Sequence, residues 1–244
     1  MGKIRIWARR GAAAYEPENT TAAFRKAVLL ASDGAVLNVH LSKDGVPVVI
    51  HDACLEHVPN GKGYVAERTL SELKRLDVGR TDSIDFMQIP TLEEALKILA
   101  PSGMTVNIEL MTRFDPYPGL EEKVVALARA YGITDRVVYS SFCHESLMKI
   151  REIEPGAKLA LLFSDGWYRL FDYAKNTIGA SILCIPFEDL RREGFVASAQ
   201  EAGFSVAVQD AESSEEILAC LREKVDIIMS ARPDLCRIVI ADAV

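Results

Sequence analysis

No stretch of this sequence is basic enough to follow a polyanion. Its 28 lysines and arginines are outnumbered by 35 aspartates and glutamates, leaving a formal charge of -7, and no basic run tracks one predicted face. Nucleic-acid binding rests on rows of phosphate contacts and is not expected. The first residues lack the apolar segment of about 7–15 residues that marks a secretory leader. Nowhere do about 18 apolar residues run together, as a membrane span requires. The expectation is a soluble, cytoplasmic protein without a transmembrane segment. Paired cysteines are missing too. Cys54, Cys143, Cys184, Cys220 and Cys236 are odd in number and widely spaced, with no Cys-x-x-Cys. This excludes the usual zinc and dithiol motifs and leaves reduced cysteines packing as small apolar residues. Internal repeats, low-complexity tracts and linkers are also absent, and no Gly-x-Gly-x-x-Gly follows the first apolar run.

What is present is a regular alternation. With 244 residues, 49% of them hydrophobic and 26% charged, the chain has the size and composition of one α/β barrel domain spanning 1–244. Eight short apolar runs read as strands: Ile4–Trp7, Ala35–Leu41, Met104–Leu110, Arg136–Ser140, Lys158–Phe163, Ser181–Ile185, Phe204–Val208 and Asp226–Met229. Between them, Thr20–Ala31, Thr91–Leu99, Leu120–Tyr131, His144–Ile153, Leu190–Ala202 and Ser214–Arg222 carry helical patterns bounded by Ser, Thr, Pro or Gly. Alternating β and α units imply a parallel sheet, and eight of them close naturally into a (β/α)8 barrel, although an open doubly wound sheet shows the same alternation. One segment departs from the rhythm. Ser42-Lys43-Asp44-Gly45 leaves no room for a crossover helix, so Val46–Ile50 is expected to return antiparallel as a β-hairpin arm after the second strand. The longest irregular stretch follows, Asp52–Tyr64, rich in turn residues.

Three passages together resemble the glycerophosphodiester phosphodiesterase family. They are Ala8-Arg9-Arg10-Gly11 with Pro17-Glu18-Asn19-Thr20, then Val39-His40-Leu41-Ser42-Lys43-Asp44-Gly45-Val46-Pro47-Val48-Val49-Ile50-His51-Asp52, then Asn60-Gly61-Lys62-Gly63. Supporting pieces follow in order, among them Ile89-Pro90-Thr91-Leu92, Ile108-Glu109, Ser141-Phe142 and Arg232-Pro233-Asp234, so the resemblance covers nearly the whole chain. It implies a barrel that hydrolyses glycerophosphodiesters at its C-terminal face. It also implies a divalent cation held by Glu-x-Asp on the second strand and Glu on the third, and two histidines acting as acid and base.

Most of that equipment is replaced here. The histidine expected before Arg-Gly falls on Arg9, whose guanidinium cannot exchange a proton at neutral pH. The Glu and Asp of the second strand fall on Val36 and Asn38, which share a strand face by the period of two. The resemblance also implies a phosphate-holding lysine two residues after the third-strand Glu, which falls on Met111, and an Arg-Thr-Thr after the hairpin, which falls on His57-Val58-Pro59. Hard cations need several oxygen ligands, and of the degenerate metal positions Val36, Asn38 and Glu109 only the last is a carboxylate. No cofactor is therefore expected, beyond a weak residual affinity for Mg²⁺ or Ca²⁺.

Arg10, Glu18, Asn19, His51 and Glu109 survive, and of these His51 alone titrates near neutrality unaided. Formal charge at the mouth is conserved at a net of one positive, from Glu109, Arg9 and Arg10. The reading is a binder of an anionic small molecule such as a phosphodiester, non-catalytic or weakly active, with Arg9, Arg10, Glu18, Asn38, His51, Glu109 and Trp167 around the ligand. Two adjacent arginines suit bidentate recognition of phosphate; a plainer role for Arg9 is an ion pair with Glu109. The alternative is a metal-independent diester hydrolase using His51 as general acid with Arg9 and Arg10, forming a cyclic phosphate. A scaffold with a merely inherited mouth is the third reading. His40 is a further pocket candidate with a structural role as its simpler explanation, as are Tyr168, Met111, Phe142, Cys184, Gln209 and Asp210 at strand ends, and Glu56 with His57 on the loop.

Overall fold

A computed structural model of the chain describes residues 4–79, 86–113, 116–164 and 168–243. Among the described residues nine strands form: β1 Arg5–Arg9, β2 Gly34–Leu41, β3 Pro47–Val49, β4 Thr105–Leu110, β5 Val137–Ser141, β6 Lys158–Leu162, β7 Ile182–Pro186, β8 Ser205–Gln209 and β9 Ile227–Ser230. All neighbours pair in parallel except β3, and β1 pairs with both β2 and β9. That double pairing closes eight strands into a ring and disposes of the open-sheet alternative. The helices in chain order are α1 Thr21–Leu29, α2 Leu70–Leu73, α3 Leu92–Leu99, α4 Leu120–Ala130, α5 His144–Ile153, α6 Leu170–Asp172, α7 Phe195–Glu201, α8 Ser214–Arg222 and α9 Pro233–Ala243.

The ring strands are largely buried because both of their faces are covered. All eight residues of β2 are buried. Ala35, Leu37, Val39 and Leu41 point outward into the layer shared with the helices, where they join Phe24, Leu96 and Val124. The other parity fills the barrel. Trp7, Val36, Val138, Ala160, Leu162, Ile182, Cys184, Ala207, Ile227 and Met229 pack there as one cluster. Gly34 is required beside Trp7, since a Cβ at this position would lie 2.6 Å from the indole Cδ1.

The expected hairpin arm is present. β3 runs antiparallel to β2 with Val39 opposite Val49 and His40 opposite Val48. The loop after it is not featureless: Leu55–His57 and Val65–Glu67 are 3₁₀ turns. Val48, Leu55, Val65, Leu73 and Ile89 form a small core of their own there, with Ile50, Val58 and Val78 packed against it.

Two helical expectations need correction. Leu190–Ala202 is not one helix but a 3₁₀ turn, Phe187–Arg191, followed by α7, because Gly194 at φ +72° interrupts the helical backbone between them. After α6 the chain continues into a π-helical turn, Tyr173–Ile178, which no periodicity announces.

Candidate functional site

The C-terminal ends of the strands surround a cavity of about 200 Å³. It is lined by Arg9, Arg10, Val36, Asn38, His51, Glu109, Phe142, Gln209, Asp210 and Met229. Barrel closure therefore brings together Arg9, Arg10, Asn38, His51 and Glu109, which the motifs nominate, and adds Gln209 and Asp210. Glu18 lies one contact behind, holding Arg10. Trp167 lies outside the described residues.

Arg9 extends from the last position of β1. Its Nε donates to Asp210 Oδ1 at 2.8 Å, so its carboxylate partner is Asp210 and not Glu109. Arg10 follows in the left-handed region at φ +52°, and its Nη1 donates to Glu18 Oε2 at 2.7 Å. Asn19 and Asp210 are left-handed as well, at φ +57° and +62°. Three non-glycine residues in this sparsely populated conformation, all at one rim, are a concentration of backbone strain of the kind functional sites hold. Gly11 completes the turn at φ +78°, where a Cβ would meet Ala23 at 2.7 Å.

Asn38 occupies its place on β2 as part of an amide pair. Its Oδ1 accepts from Asn19 Nδ2 at 3.1 Å and its backbone N–H donates to Asn19 Oδ1 at 3.3 Å. Its own Nδ2 lies 3.5 Å from the Met111 sulfur. Glu109 stands opposite Asn38 in the β2–β4 register and is 8% exposed. Burial pushes its carboxyl above the usual carboxylate range, against the pull of Arg10, Arg9 and a hydrogen bond from Asn38. Val36 lies deeper, 2% exposed within the apolar barrel layer.

His51 ends the arm. Its Nδ1 donates to Asp52 Oδ1 at 2.7 Å, which leaves Nε2 as the acceptor of the neutral ring. Burial, and next the positive charge of Arg10, hold the imidazole below its ordinary value, while Asp52 and Glu18 pull the other way. Neutral, this ring can take a proton at Nε2, and protonated it can return one, so the acid role expected from sequence stands beside a base role. His40 is not a pocket residue. It is 1% exposed; its Nε2 donates to the His51 carbonyl at 3.0 Å, and Nδ1 meets the Tyr117 hydroxyl at 2.8 Å. Its role is to fix the backbone of His51. On the loop, Glu56 accepts from the Gly63 N–H at 3.3 Å and is not paired with His57 in the mouth.

Two contacts were invisible to motif reading, although Asp210 and Phe142 are themselves strand-end candidates. Asp210 joins Glu109 opposite Arg9 and Arg10, so these four residues sum to zero formal charge where three had summed to one positive. Arg113 lies with its guanidinium carbon 5.4 Å from the centre of the Phe142 ring, placing another cation at the rim two positions beyond Met111.

The sequence pattern of the Glycerophosphoryl diester phosphodiesterase family matches residues 10–235. The chain belongs to this family. A glycerophosphodiester phosphodiesterase of Caldanaerobacter subterraneus subsp. tengcongensis is 40% identical over 166 residues, covering 67% of this chain and 68% of that one. Among solved structures, a glycerophosphodiester phosphodiesterase from Agrobacterium tumefaciens is 30% identical, with a TM-score of 0.83 over 96% of this chain and 99% of its own. An Oleispira antarctica phosphodiesterase, solved in complex with the product sn-glycerol-3-phosphate, is 26% identical, with a TM-score of 0.84 over 97% and 96%.

The family implies a divalent cation, and the donor set in this mouth does not suit one. Val36 offers no oxygen, the Asn38 amide oxygen is committed to Asn19, and the Asp210 carboxylate faces the positive charge of Arg9. Among the described residues, no three of His, Cys, Asp and Glu come together as a cation requires. Likewise, no helix among the described residues is long and apolar enough to cross a membrane.

Proposed function

We propose that this family member binds a phosphorylated or otherwise anionic small molecule at the barrel mouth and has lost the family's metal-dependent hydrolysis. The observation that carries the reading is a substitution in kind. Arg9 lines the cavity where the resemblance implies a histidine, beside the retained Arg10, and Val36 and Asn38 stand in place of the implied cation-holding carboxylate pair. The complex of the Oleispira antarctica relative with sn-glycerol-3-phosphate supports a phosphate ester as the ligand class.

Both arginines already hold carboxylates, so an anion must exchange with one. Asp210 is the one to leave: its side chain is 51% exposed and Arg9's is 27% exposed. Ion pairs as exposed as this contribute about 0–1 kcal/mol, whereas a charge-assisted hydrogen bond to phosphate contributes about 1.5–3 kcal/mol. The exchange favours the ligand. Arg10 keeps Glu18 and presents its remaining N–H groups, and His51 Nε2 completes the set as acceptor from a protonated phosphate oxygen.

A second reading follows from the depressed His51. A neutral imidazole beside two arginines has the composition of a metal-free site in which His51 takes a proton from a substrate hydroxyl as it attacks phosphorus, the P–O bond to the other alcohol breaks, and that alcohol leaves with the proton returned by His51, so that a cyclic phosphate remains. The deciding experiment is hydrolysis of a glycerophosphodiester panel with Mg²⁺ or Ca²⁺ and again with EDTA, with His51→Ala beside the parent, together with calorimetric titration of inorganic phosphate. Phosphate binding without turnover is the expected result. Metal-dependent turnover that vanishes in H51A overturns the proposal, and EDTA-resistant turnover lost in H51A establishes the second reading.

A further inference from the structure

A second cavity, of about 160 Å³, shares His51 as a lining residue with the arginine cavity. A ligand seated at the arginines and reaching beyond the imidazole would enter it. The farther walls are Val49, Ile50, Cys54, Val58, Pro59 and Val78. Ile50, Val58 and Val78 pack against the arm's own small core, so these walls are held in place and not merely draped over the opening. Val58 and Pro59 belong to the stretch in which this chain departs from its family.

The polar groups bordering this cavity are largely engaged. Glu18 holds Arg10, Asn19 holds Asn38, and Asp52 holds His51. His57 sits at the exposed rim. A polyol entering here would exchange water for apolar walls and leave hydroxyls unpaired, whereas a compact apolar group would exchange water for contact. Size agrees with this: a dry apolar cavity of about 150 Å³ is known to accept benzene.

Building on the arginine site proposed above, we infer that this cavity is the alcohol subsite of the same mouth. The ligand class it selects is a phosphate ester of a compact apolar alcohol, aryl or branched alkyl, in preference to a glycerol phosphate. Arg9 and Arg10 hold the phosphate, His51 stands at the ester junction, and Val58 with Val78 encloses the apolar group.

The test is isothermal titration of the parent with three probes: inorganic phosphate, glycerol phosphate and phenyl phosphate. Phenyl phosphate is expected to bind about tenfold tighter than the other two, with a more negative heat capacity of binding as its ring leaves water. Val58→Trp fills the cavity, and the phenyl advantage is expected to fall to about unity there. Val78→Phe does the same from a second lining residue, should V58W fail to give a parent-like melting transition. Equal affinities for all three probes, or a preference for glycerol phosphate, overturn the subsite while leaving the arginine site standing. A phenyl advantage that survives both variants overturns it too, because the ring is then elsewhere. If inorganic phosphate itself fails to bind, the arginine site falls, and the subsite with it.

Discussion

The Nε of Arg9 lies 2.8 Å from Oδ1 of Asp210, and the two residues meet only because the first and eighth strands end at the same rim. Asp210 thus occupies Arg9 in the way a ligand oxygen would. Its removal is expected to strengthen anion binding, contrary to the effect of deleting a contact. Asp210→Asn keeps a side chain tolerated at φ +62° and takes away the competing charge. Inorganic phosphate should bind about two- to fivefold tighter, the equivalent of roughly 0.4–1 kcal/mol for an exposed pair. Weaker binding in D210N would make Asp210 a ligand contact instead.

His51 offers a direct reading of its surroundings. Arg10 is the second cause of its lowered pKa after burial, so Arg10→Met should move the imidazole titration upward, as followed by its proton resonances. A bound anion should do the same by favouring the charged ring. Sulfate does not titrate near neutrality, and its affinity should therefore rise a few-fold as pH falls from about 8 to about 6. In His51→Gln that slope should vanish. A pH-independent parent would place the anion away from His51.

Glu109 makes a prediction about stability. A carboxyl whose pKa is raised on folding adds stability below its ordinary value of 4.5 and loses it as pH rises through the folded value. At neutral pH the buried carboxylate is consequently a burden. Glu109→Gln should raise the melting temperature at pH 7–8 by several degrees, given that about 1 kcal/mol corresponds to roughly 2–4 °C in a chain of this size. Near pH 4 the advantage should disappear. Destabilisation by E109Q at every pH would show that the charge is satisfied by the arginines.

Introducing the ligands that the family resemblance implies supplies a separate check. Arg9→His, Val36→Glu and Asn38→Asp together put the family's charges back in the mouth. Without metal the triple variant should melt below the parent, because residue 36 lies in the apolar barrel layer and is 2% exposed. Millimolar Ca²⁺ or Mg²⁺ should recover part of the loss in the variant and leave the parent unmoved, since binding to the folded state alone stabilises it. A metal-induced shift in the parent would contradict the mismatch of its donor set.

Much of this architecture could be read beforehand because buried parallel strands are short apolar runs. Lys158–Phe163 and Ser181–Ile185, for example, each match the observed strand to within a residue or so at either end. The hairpin arm was equally legible, Asp44-Gly45 leaving a turn as the only connection. What escaped depended on contacts far apart in sequence or on backbone detail. Gly194 looked like an interior residue of a helix until its positive φ placed it at the start of one. Helix α9 was not read at all, although Pro233 at its first turn is a helix-start signal. At the site, the motif positions of Arg9, Arg10, Asn38, His51 and Glu109 were visible and do converge. The partner of Arg9 was not, since no local pattern links residue 9 to residue 210. Without that partner the charge at the mouth was overcounted by one.

The arm's small core, centred on Val48, Leu55, Val65, Leu73 and Ile89, is packed separately from the interior of the ring. Ring closure depends on β1 meeting β2 and β9, and neither pairing involves the arm. Changes in this small core are thereby separated from the pairings that close the ring, while Val49 of the arm packs in the main core with Leu92 and Leu96. Such a molecule can be re-equipped piece by piece. An arm transplanted from a relative, joined at Leu41 and again before Leu92, should alter which alcohols are admitted without asking the barrel to fold differently.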